Sequence, residues 1–423
     1  HVVGVGKAKD LGGPVRSYVQ LSTLPGYAGI VLDPKVDDLS VSIQDRGILV
    51  TKDNGLVLTK GRDIQNVFSD KNNEQTEKQE EGQESEQEGD EEETQKRVDK
   101  IYDFNRWVLG GPVVLGENET TLLGALKQSD KVGKTETLLA LGKLFLANNR
   151  GPEALGYFNY AGDVTPDLKE SPEYLALLGA AEALTGQYEA AFKDYAAADL
   201  DRYKEVDLWR SMVLAGLGDW GQAGEVLPEN TSIVNSYPSP LRQEVALTLA
   251  EVALRDGRQD QADELLAIPK ALSEDLIKSQ KAALDYLSGE AHRQRGENER
   301  AVALWEPLAK SLDDLHRVKA GLALSKLLYE MDKISADEGI DRLEQLRYGW
   351  RGDTLETRVY IALGEFYLKN GNYLKGLAVL RRATELSTTP TLLQEITSNM
   401  TRAFEKLFLT DEINKLSPLE AVG

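Results

Sequence analysis

Histidine is the side chain that most often acts as a general base or a zinc ligand near neutral pH, and this chain has three. His1 begins the sequence, His292 lies within GEAHRQRG, and His316 lies within DDLHRVK, near the start of a predicted helix. There is no HExxH motif and no pair of histidines at ligand spacing, so nothing supports a histidine zinc site. We expect His292 to be a packing residue and His316 to lie on the surface.

Two short glycine-containing stretches share part of a nucleotide-binding motif. The letters GKT at 133–135 match the end of a phosphate-binding loop, but Gln128 stands where that motif needs its first glycine. No apolar strand precedes this stretch. The letters GVG at 4–6 are not followed by the third glycine of a dinucleotide fingerprint. We therefore expect no nucleotide cofactor.

Carboxylates are the remaining candidates for chemistry. The chain has 70 acidic residues, so neighbouring pairs such as Asp313 and Asp314 are frequent, and none belongs to a recognisable constellation. Cysteine is absent, which excludes disulfides, thiolate metal ligands and thiol nucleophiles. The sequence thus predicts no catalytic residue, no cofactor and no metal site, and we expect the protein not to be an enzyme.

Length and charge restrict the class of protein. A chain of 423 residues is too long for one ordinary core, which indicates either one long array or several domains. The net charge of −21 repels phosphate backbones, so we expect no nucleic-acid partner. No apolar run approaches the roughly 18 residues that span a bilayer, so no transmembrane segment is predicted.

Two features bear on cellular location. The chain opens HVVGVGKAKD without methionine, which indicates either a removed signal segment or a trimmed sequence. The absence of cysteine favours a bacterial periplasm or cell envelope, where a stray thiol risks wrong pairing, and the alternative is the cytoplasm.

Composition divides the chain into three regions. Residues 1–66 contain period-two alternation at 39–44, 47–52 and 55–60, with the turn sequences DRG and DNG between them, and further strands are expected at 17–21 and 28–33, which predicts a small antiparallel β region. Residues 67–97 are rich in Glu and Gln without apolar periodicity, which predicts an acidic disordered linker. Residues 98–423 have helical periodicity throughout.

The helical region repeats one pattern seven times. A small residue is followed seven positions later by a turn residue and twelve positions later by a second small residue, as in Gly364, Gly371 and Gly376. The copy at Ser325, Asp332 and Asp337 fits least well. The predicted turn residues are Asn149, Gly186, Gly218, Gly257, Gly296, Asp332 and Gly371.

This pattern resembles the tetratricopeptide repeat, whose period is about 34 residues, over roughly 135–410. The resemblance implies a mainly α fold, an α-solenoid of about seven stacked helix pairs. Larger apolar residues are expected to fill the space between the helices: Phe145, Leu214, Leu266, Trp305 and Leu380. A closing amphipathic helix is predicted after residue 390, with an apolar stripe of Leu393, Ile396, Met400, Phe404 and Leu407.

Solenoids of this kind expose an extended concave groove lined by the first helix of each pair. The position after the small residue carries no Asn in any copy, so the carboxylate clamp of chaperone-binding members is not expected. The early groove is predicted to be apolar: Ala176, Ala180, Ala183, Leu208 and Met212. The later groove is predicted to carry charge, and we expect a partner peptide or helix to bind across repeats four to seven. The candidate partner-binding residues are Arg293, Lys319, Lys326, Tyr329, Arg347, Arg351, Arg358 and Lys369.

The stretch RYGWRGD at 347–353 contains an Arg-Gly-Asp tripeptide. It falls between two predicted helices, so we expect an inter-repeat connection in which Asp353 caps the next helix, Glu356 completes a capping box, and Trp350 packs against neighbouring helices. The alternatives are that Arg347 and Arg351 contact a partner, or that the tripeptide is an integrin-type motif.

Taken together, these features favour a non-enzymatic scaffold or adaptor that binds a protein partner. The first alternative is a chaperone or assembly factor for a bacterial envelope machine, such as a secretion or motility apparatus, which would bind clients through the apolar early groove. The second alternative is an enzyme or a carbohydrate-binding accessory protein. The oligomeric state is not predicted by the sequence.

Overall fold

The computed structural model describes residues 100–273, 276–387 and 389–409, together with the course of six β-strands between residues 2 and 52. The chain divides into two compact units, His1–Glu86 and Gln87–Gly423. The acidic region 67–97 lies outside the described residues, so the predicted domain boundaries at 66/67 and 97/98 stay predictions.

The first unit contains antiparallel strands. They are β1 (Val2–Gly4), β2 (Arg16–Ser17), β3 (Leu21–Leu24), β4 (Gly29–Pro34), β5 (Leu39–Gln44) and β6 (Gly47–Lys52). Four strands form one sheet in the order β1-β4-β3-β2. Strands β5 and β6 form a separate antiparallel hairpin, in which Gln44 is paired with Gly47 at the turn end. The strands predicted at 28–33, 39–44 and 47–52 coincide with β4, β5 and β6. The single strand predicted at 17–21 is wrong, since β2 ends at Ser17 and β3 begins at Leu21, and 55–60 lies outside the described residues.

The described part of the second unit contains seventeen α-helices. They are α1 (Phe104–Trp107), α2 (Leu115–Gln128), α3 (Lys131–Ala147), α4 (Gly151–Val164), α5 (Pro172–Leu184), α6 (Tyr188–Tyr195), α7 (Lys204–Gly216), α8 (Trp220–Val226), α9 (Ser239–Arg255), α10 (Gln259–Ala271), α11 (Lys278–Gln294), α12 (Asn298–Leu308), α13 (Asp314–Glu330), α14 (Ala336–Leu346), α15 (Thr354–Lys369), α16 (Tyr373–Leu386) and α17 (Pro390–Leu409). None of the helices in the described ranges is long and apolar enough to cross a membrane.

The helices α3–α16 form seven consecutive pairs, from α3–α4 to α15–α16, and α17 follows the last pair. Each turn within a pair contains one residue with positive φ, and these are the seven residues that the repeat pattern predicts: Asn149, Gly186, Gly218, Gly257, Gly296, Asp332 and Gly371. Left-handed backbone ends a helix at little cost when the residue is glycine, and Asn and Asp tolerate it better than most others. The predicted tetratricopeptide-like solenoid of seven pairs is therefore confirmed.

A close approach of the two helices explains the small residue on the first helix of each pair. A Cβ atom on Gly142, Gly179, Gly289 or Gly364 would collide with a large side chain sixteen positions later. Those side chains are Phe158, Tyr195, Trp305 and Leu380. All of the predicted filling residues, Phe145, Leu214, Leu266, Trp305 and Leu380, are buried. The close contact inside each pair leaves outer apolar surface that only the next pair covers, so the pairs stack.

The sixth pair departs from the predicted register. The turn between α13 and α14 spans residues 331–335, two residues more than the three-residue turn 370–372 of the last pair. The small position on the second helix therefore moves two residues along the chain, and the prediction of Asp337 as a packing residue is wrong. Asp337 is exposed, whereas Gly339 is buried.

The stripe predicted for the closing helix α17 is also partly wrong. Ile396 and Leu407 are buried as expected, but Phe404 is 45% exposed and stacks on Phe408 on the outer side. Leu392 and Ala403 are buried instead. The apolar residues of α17 cover more than one face, so periodicity alone did not fix which face packs against α15 and α16.

Candidate partner-binding groove

The first three pairs carry a piece of their own chain on their inner helices. We name residues 101–108 the self-bound segment. The Tyr102 hydroxyl donates a hydrogen bond of 2.8 Å to the Ala176 carbonyl on α5 and lies 2.8 Å from the Tyr195 hydroxyl. At the other side of the segment, the Asn148 side chain at the end of α3 donates to the Val108 carbonyl at 3.3 Å.

A buried carboxylate holds the backbone of this segment. Glu205 on α7 accepts hydrogen bonds from the backbone N–H groups of Ile101 and Tyr102, at 2.8 and 3.0 Å. The Tyr237 hydroxyl donates to the other oxygen of Glu205 at 2.7 Å. Burial raises the pKa of the Glu205 carboxyl, and these three hydrogen bonds oppose that effect.

Aromatic packing completes this half of the groove. Tyr102 and Phe104 stack with ring centroids 4.8 Å apart, and both lie against Trp209 of α7 at 5.6 and 6.0 Å. The residues that were predicted to line an open apolar groove, Ala176, Ala180, Ala183, Leu208 and Met212, are all buried. That prediction is wrong, because these positions form the packed interior of pairs two and three.

The last four pairs enclose an open cavity of about 790 Å³. Its wall is formed by α9, α11, α13, α15 and α17, by the start of α6 and by the turn between α7 and α8. A Cβ atom on Gly218 in that turn would lie 3.5 Å from the methyl group of Thr354, the first residue of α15. The third pair therefore meets the start of the seventh, and the curvature of the solenoid makes this part of the groove a pocket.

The carboxylate of Glu251 binds two of the cations in this cavity. Glu251 on α9 accepts from the Lys319 ammonium at 2.9 and 3.1 Å and from the Arg255 guanidinium at 2.8 Å. Burial alone raises the pKa of Glu251, but the two cations outweigh it and lower the pKa to about 2. Arg255 also lies over the Trp220 ring, 4.0 Å from its centroid. One carboxylate thus serves two cations.

Arg358 lies in the same cavity on α15 and is half-buried. It makes no hydrogen bond or ion pair with any residue that the structure describes. Burial lowers the pKa of its guanidinium and the positive charge of Arg255 lowers it further, while the negative charge of Glu395 opposes both effects. Tyr286 of α11 lines the cavity as well, with a pKa raised by burial and then by Glu251, and its hydroxyl has no hydrogen-bond partner among the described residues.

The eight predicted partner-binding residues fall into two groups. Four of them line the cavity: Arg293, Lys319, Lys326 and Arg358. Arg293 pairs with Glu290 at 2.6 Å, and the Lys326 ammonium lies 3.8 Å from Glu365. Lys319 was predicted as a free contact residue, but its pairing with Glu251 makes it part of the wall.

The other four predicted residues lie outside the cavity lining. The Lys369 ammonium lies over the rings of Tyr329 and Phe366, at 4.6 and 5.1 Å from their centroids. Arg347 pairs with Glu344 at 2.9 Å, and Arg351 is exposed with its guanidinium 5.9 Å from the centre of the Tyr348 ring. The structure therefore does not bring all eight residues together.

Sequence reasoning missed Arg255, Tyr286 and Trp220 as cavity residues. A spacing of four positions between Glu251 and Arg255 predicts their ion pair on one helix face. No local signal predicts that Lys319 shares Glu251, because the two residues are 68 positions apart.

The stretch at 347–353 connects α14 to α15, as predicted. The Trp350 indole N–H donates to the Asp353 carboxylate at 2.8 Å, and Asp353 caps α15 by accepting from the Leu355 N–H at 2.8 Å. Trp350 is half-buried against Leu355 and Val318. Glu356 accepts from the Gly352 N–H rather than from Asp353, so the predicted capping box is replaced by this shifted bond.

Both internal histidines bond to nearby carboxylates. His316 is only 8% exposed and bonds to Asp313 at 2.9 Å, so its predicted surface position is wrong. Burial lowers the pKa of His316. His292 lies 2.6 Å from Glu297 across the turn of the fifth pair, and this bond replaces the predicted packing role. No group of three or more potential metal-ligating His, Asp or Glu side chains occurs in the described part of the chain.

A second cavity of about 1100 Å³ opens between the end of α8 in the third pair and the turn of the fourth pair. Its main polar side chains already bond to the backbone: Arg258 donates to the carbonyls of Leu227 and Gly224, and Gln261 donates to that of Pro228. These bonds fix the spacing of neighbouring pairs. The groove of pairs four to seven is therefore the stronger candidate site.

The chain resembles several solved structures, but the comparisons found no close relative in sequence. No protein-family model matches the chain. No curated protein matches it either. Among solved structures, a tetratricopeptide repeat protein from Parabacteroides merdae has 14% identity and a TM-score of 0.42, over 63% of this chain and 98% of the other.

Two further solved structures resemble the chain to a similar degree. NprR in complex with its cognate peptide NprX has 8% identity and a TM-score of 0.43, over 73% of this chain and 83% of the other. Yeast Tom70 has 14% identity and a TM-score of 0.37, over 76% and 65%. These values carry no argument about function, and the assignment of the fold rests on the seven helix pairs themselves.

Proposed function

We propose that this protein is a non-enzymatic protein–protein interaction scaffold that binds an extended segment or a helix of a partner in the groove of pairs four to seven. The observation that supports this most directly is the open cavity of about 790 Å³, whose walls carry charged side chains that make no ion pair in the described part of the chain, such as Arg358, Glu189 and Glu330. Unpaired charge in a partly desolvated cleft is costly unless a ligand pairs with it.

The distribution of open surface favours a scaffold over a chaperone. A chaperone for unassembled envelope proteins was expected to use an apolar groove in the early pairs, but those residues are buried. An enzyme or a carbohydrate-binding accessory protein remains a further alternative, and no specific feature of the cavity favours it. The periplasmic or envelope location stays a prediction from the absence of cysteine.

Affinity capture with the full chain tests this function. The bait would be compared with a triple variant in the cavity, Arg293→Ala, Lys326→Ala and Arg358→Ala. A matched triple variant on exposed positions outside the cavity, Lys270→Ala, Lys310→Ala and Arg342→Ala, removes the same number of charges.

We expect one stoichiometric protein that the wild type and the outer-face control retain and that the cavity variant loses at least tenfold. Equal retention by all three baits would show that the groove is not the binding site. Retention of many unrelated precursor proteins by the wild type would favour the chaperone alternative.

A further inference from the structure

Three hydrogen-bond donors from three different helices face the cavity of pairs four to seven. They are the guanidinium of Arg255 on α9, the hydroxyl of Tyr286 on α11 and the guanidinium of Arg358 on α15. Arg358 and the Tyr286 hydroxyl have no hydrogen-bond partner within the described residues, and Arg255 shares Glu251 with Lys319. These three groups therefore offer more donors than they have acceptors in the described residues.

The two guanidinium groups are close enough to affect each other. The charge of Arg255 lowers the pKa of Arg358, which means that the fold places like charges together in a partly desolvated space. An anion between them would remove this repulsion and accept hydrogen bonds from both. Guanidinium groups suit this task because their N–H donors can bind a carboxylate in bidentate geometry.

The charge count of the residues around Arg358 favours a singly charged anion. Arg255, Lys319 and Arg358 contribute three positive charges, while Glu251 in their midst and Glu395 on α17 contribute two negative ones. One negative charge is needed for neutrality, which fits a carboxylate better than a phosphate dianion.

The rest of the cavity wall indicates what flanks this anion. Glu189 and Glu330 line the cavity and make no ion pair with the described residues. A ligand that lies along the groove would pair with them through basic side chains. A polypeptide segment with an acidic residue between basic ones would place its carboxylate at the arginines and its cations beside these acidic side chains. A free terminal carboxylate could carry basic residues on one side only.

We infer that Arg358, together with Arg255 and Tyr286, binds the carboxylate of an Asp or Glu side chain that lies within a mixed-charge segment of the partner. This inference rests on the proposed function, because it names the chemistry of the segment that the groove receives.

Peptide pools test this inference on the full chain. Each pool holds nonapeptides with acetylated and amidated ends, with Lys three positions on either side of a central residue that is Glu, Gln or phosphoserine. A fourth pool ends in a free carboxylate at the Gln-centred sequence. Binding is measured by fluorescence anisotropy with wild type, Arg358→Gln, and Arg342→Gln as a matched control, since Arg342 is exposed outside the cavity.

We expect the wild type and Arg342→Gln to bind the Glu pool about tenfold or more tightly than the Gln pool, and Arg358→Gln to bind both equally. Arg358→Glu should reverse the preference, towards a pool with Lys at the centre and Glu at the flanks. This reversal shows charge pairing even if Arg358→Gln alters the local packing.

Other outcomes overturn the inference. Tighter binding of the phosphoserine pool or of the free-carboxylate pool would show that Arg358 binds a phosphate or a terminal carboxylate, and not an acidic side chain. Equal binding of the Glu and Gln pools, or no binding of any pool, would show that the site does not bind a carboxylate. In these cases the capture experiment separately decides the proposed function, because its loss in the triple variant does not depend on which group contacts Arg358.

Discussion

The inner helices of pairs one to three and those of pairs four to seven present different chemistry. In the first half, the self-bound segment covers the helices, and the buried carboxylate of Glu205 has three donors from the same chain. In the second half, the cavity is open, and Arg358 has no partner in the described part of the chain. The first half completes its own interior, whereas the second leaves charges for a ligand to complete.

Buried acidic groups also have different partners in the two halves. On α5 and α6 of the first half, Glu182 and Asp194 share a hydrogen bond, and each keeps one buried oxygen, Glu182 Oε2 and Asp194 Oδ2, without a partner. In the second half, Glu251 lies between two cations. Two carboxyl groups in contact bind a proton, while a carboxylate between cations releases it.

Removing one aromatic ring beside the self-bound segment and one from the wall of the open cavity gives the largest predicted difference. Trp209→Ala in the first half is expected to lower the free energy of unfolding by about 3–5 kcal/mol, because the ring is fully buried against the self-bound segment. Trp220→Ala is the matched change at the cavity, where the half-buried ring on α8 of the third pair covers Arg255 of the fourth, and about 1 kcal/mol is expected. Urea-unfolding midpoints measure both, and equal losses would contradict the comparison.

The pH dependence of stability should have opposite sign in the two halves. Burial and then the neighbouring Asp194 raise the pKa of Glu182 to about 7, so the folded state holds a proton that the unfolded state loses near pH 4.5. The stabilisation is complete below about pH 4.5 and disappears as pH rises to about 7, on the order of 2 kcal/mol for this 8%-exposed group. The pKa of Glu251 is lowered instead, so its contribution is present above about pH 4.5 and is lost as pH falls towards 2.

Difference curves isolate each effect from the other titrating groups. The charged or titratable neighbours of the Glu182 pair are Tyr174, whose pKa is raised to about 12 by burial and then by Asp163, and Lys193. Thermal unfolding midpoints of wild type and Glu182→Gln between pH 4.5 and 8 should diverge, with the variant relatively more stable at high pH. Glu251→Gln should differ from wild type above pH 5 and approach it at lower pH. Parallel curves for Glu182→Gln and wild type would show that the two carboxyl groups do not share a proton.

The smallest predicted effect concerns Arg358 itself. Arg358→Ala is expected to change the free energy of unfolding by no more than about 0.5 kcal/mol, because no partner loses a bond in the described residues. Lys319→Ala in the same cavity should cost about 1–3 kcal/mol, since Glu251 then keeps one cation instead of two. Calorimetric unfolding measures the pair. A large loss for Arg358→Ala would assign that residue a structural role and weaken its assignment to a ligand.

The sequence predicted the repeats well because the residues that form each helix pair lie close together along the chain. Left-handed backbone at seven turn residues, and small residues that admit a large one sixteen positions later, leave signals within some forty residues of chain. The two misjudged positions have local causes as well. The longer turn at 331–335 moved the packing position from Asp337 to Gly339, and α17 carries apolar residues on more than one face, so its buried side was ambiguous.

Tertiary structure decided which charges and aromatic residues meet. The sequence showed the candidates Arg293, Lys319, Lys326 and Arg358, but only the curvature of the stack shows which of them have partners. Glu251 meets Lys319 across 68 positions, and Tyr102 meets Glu205 across 103 positions. These contacts depend on the small rotation from each pair to the next, summed over several pairs, and no local residue pattern encodes that sum.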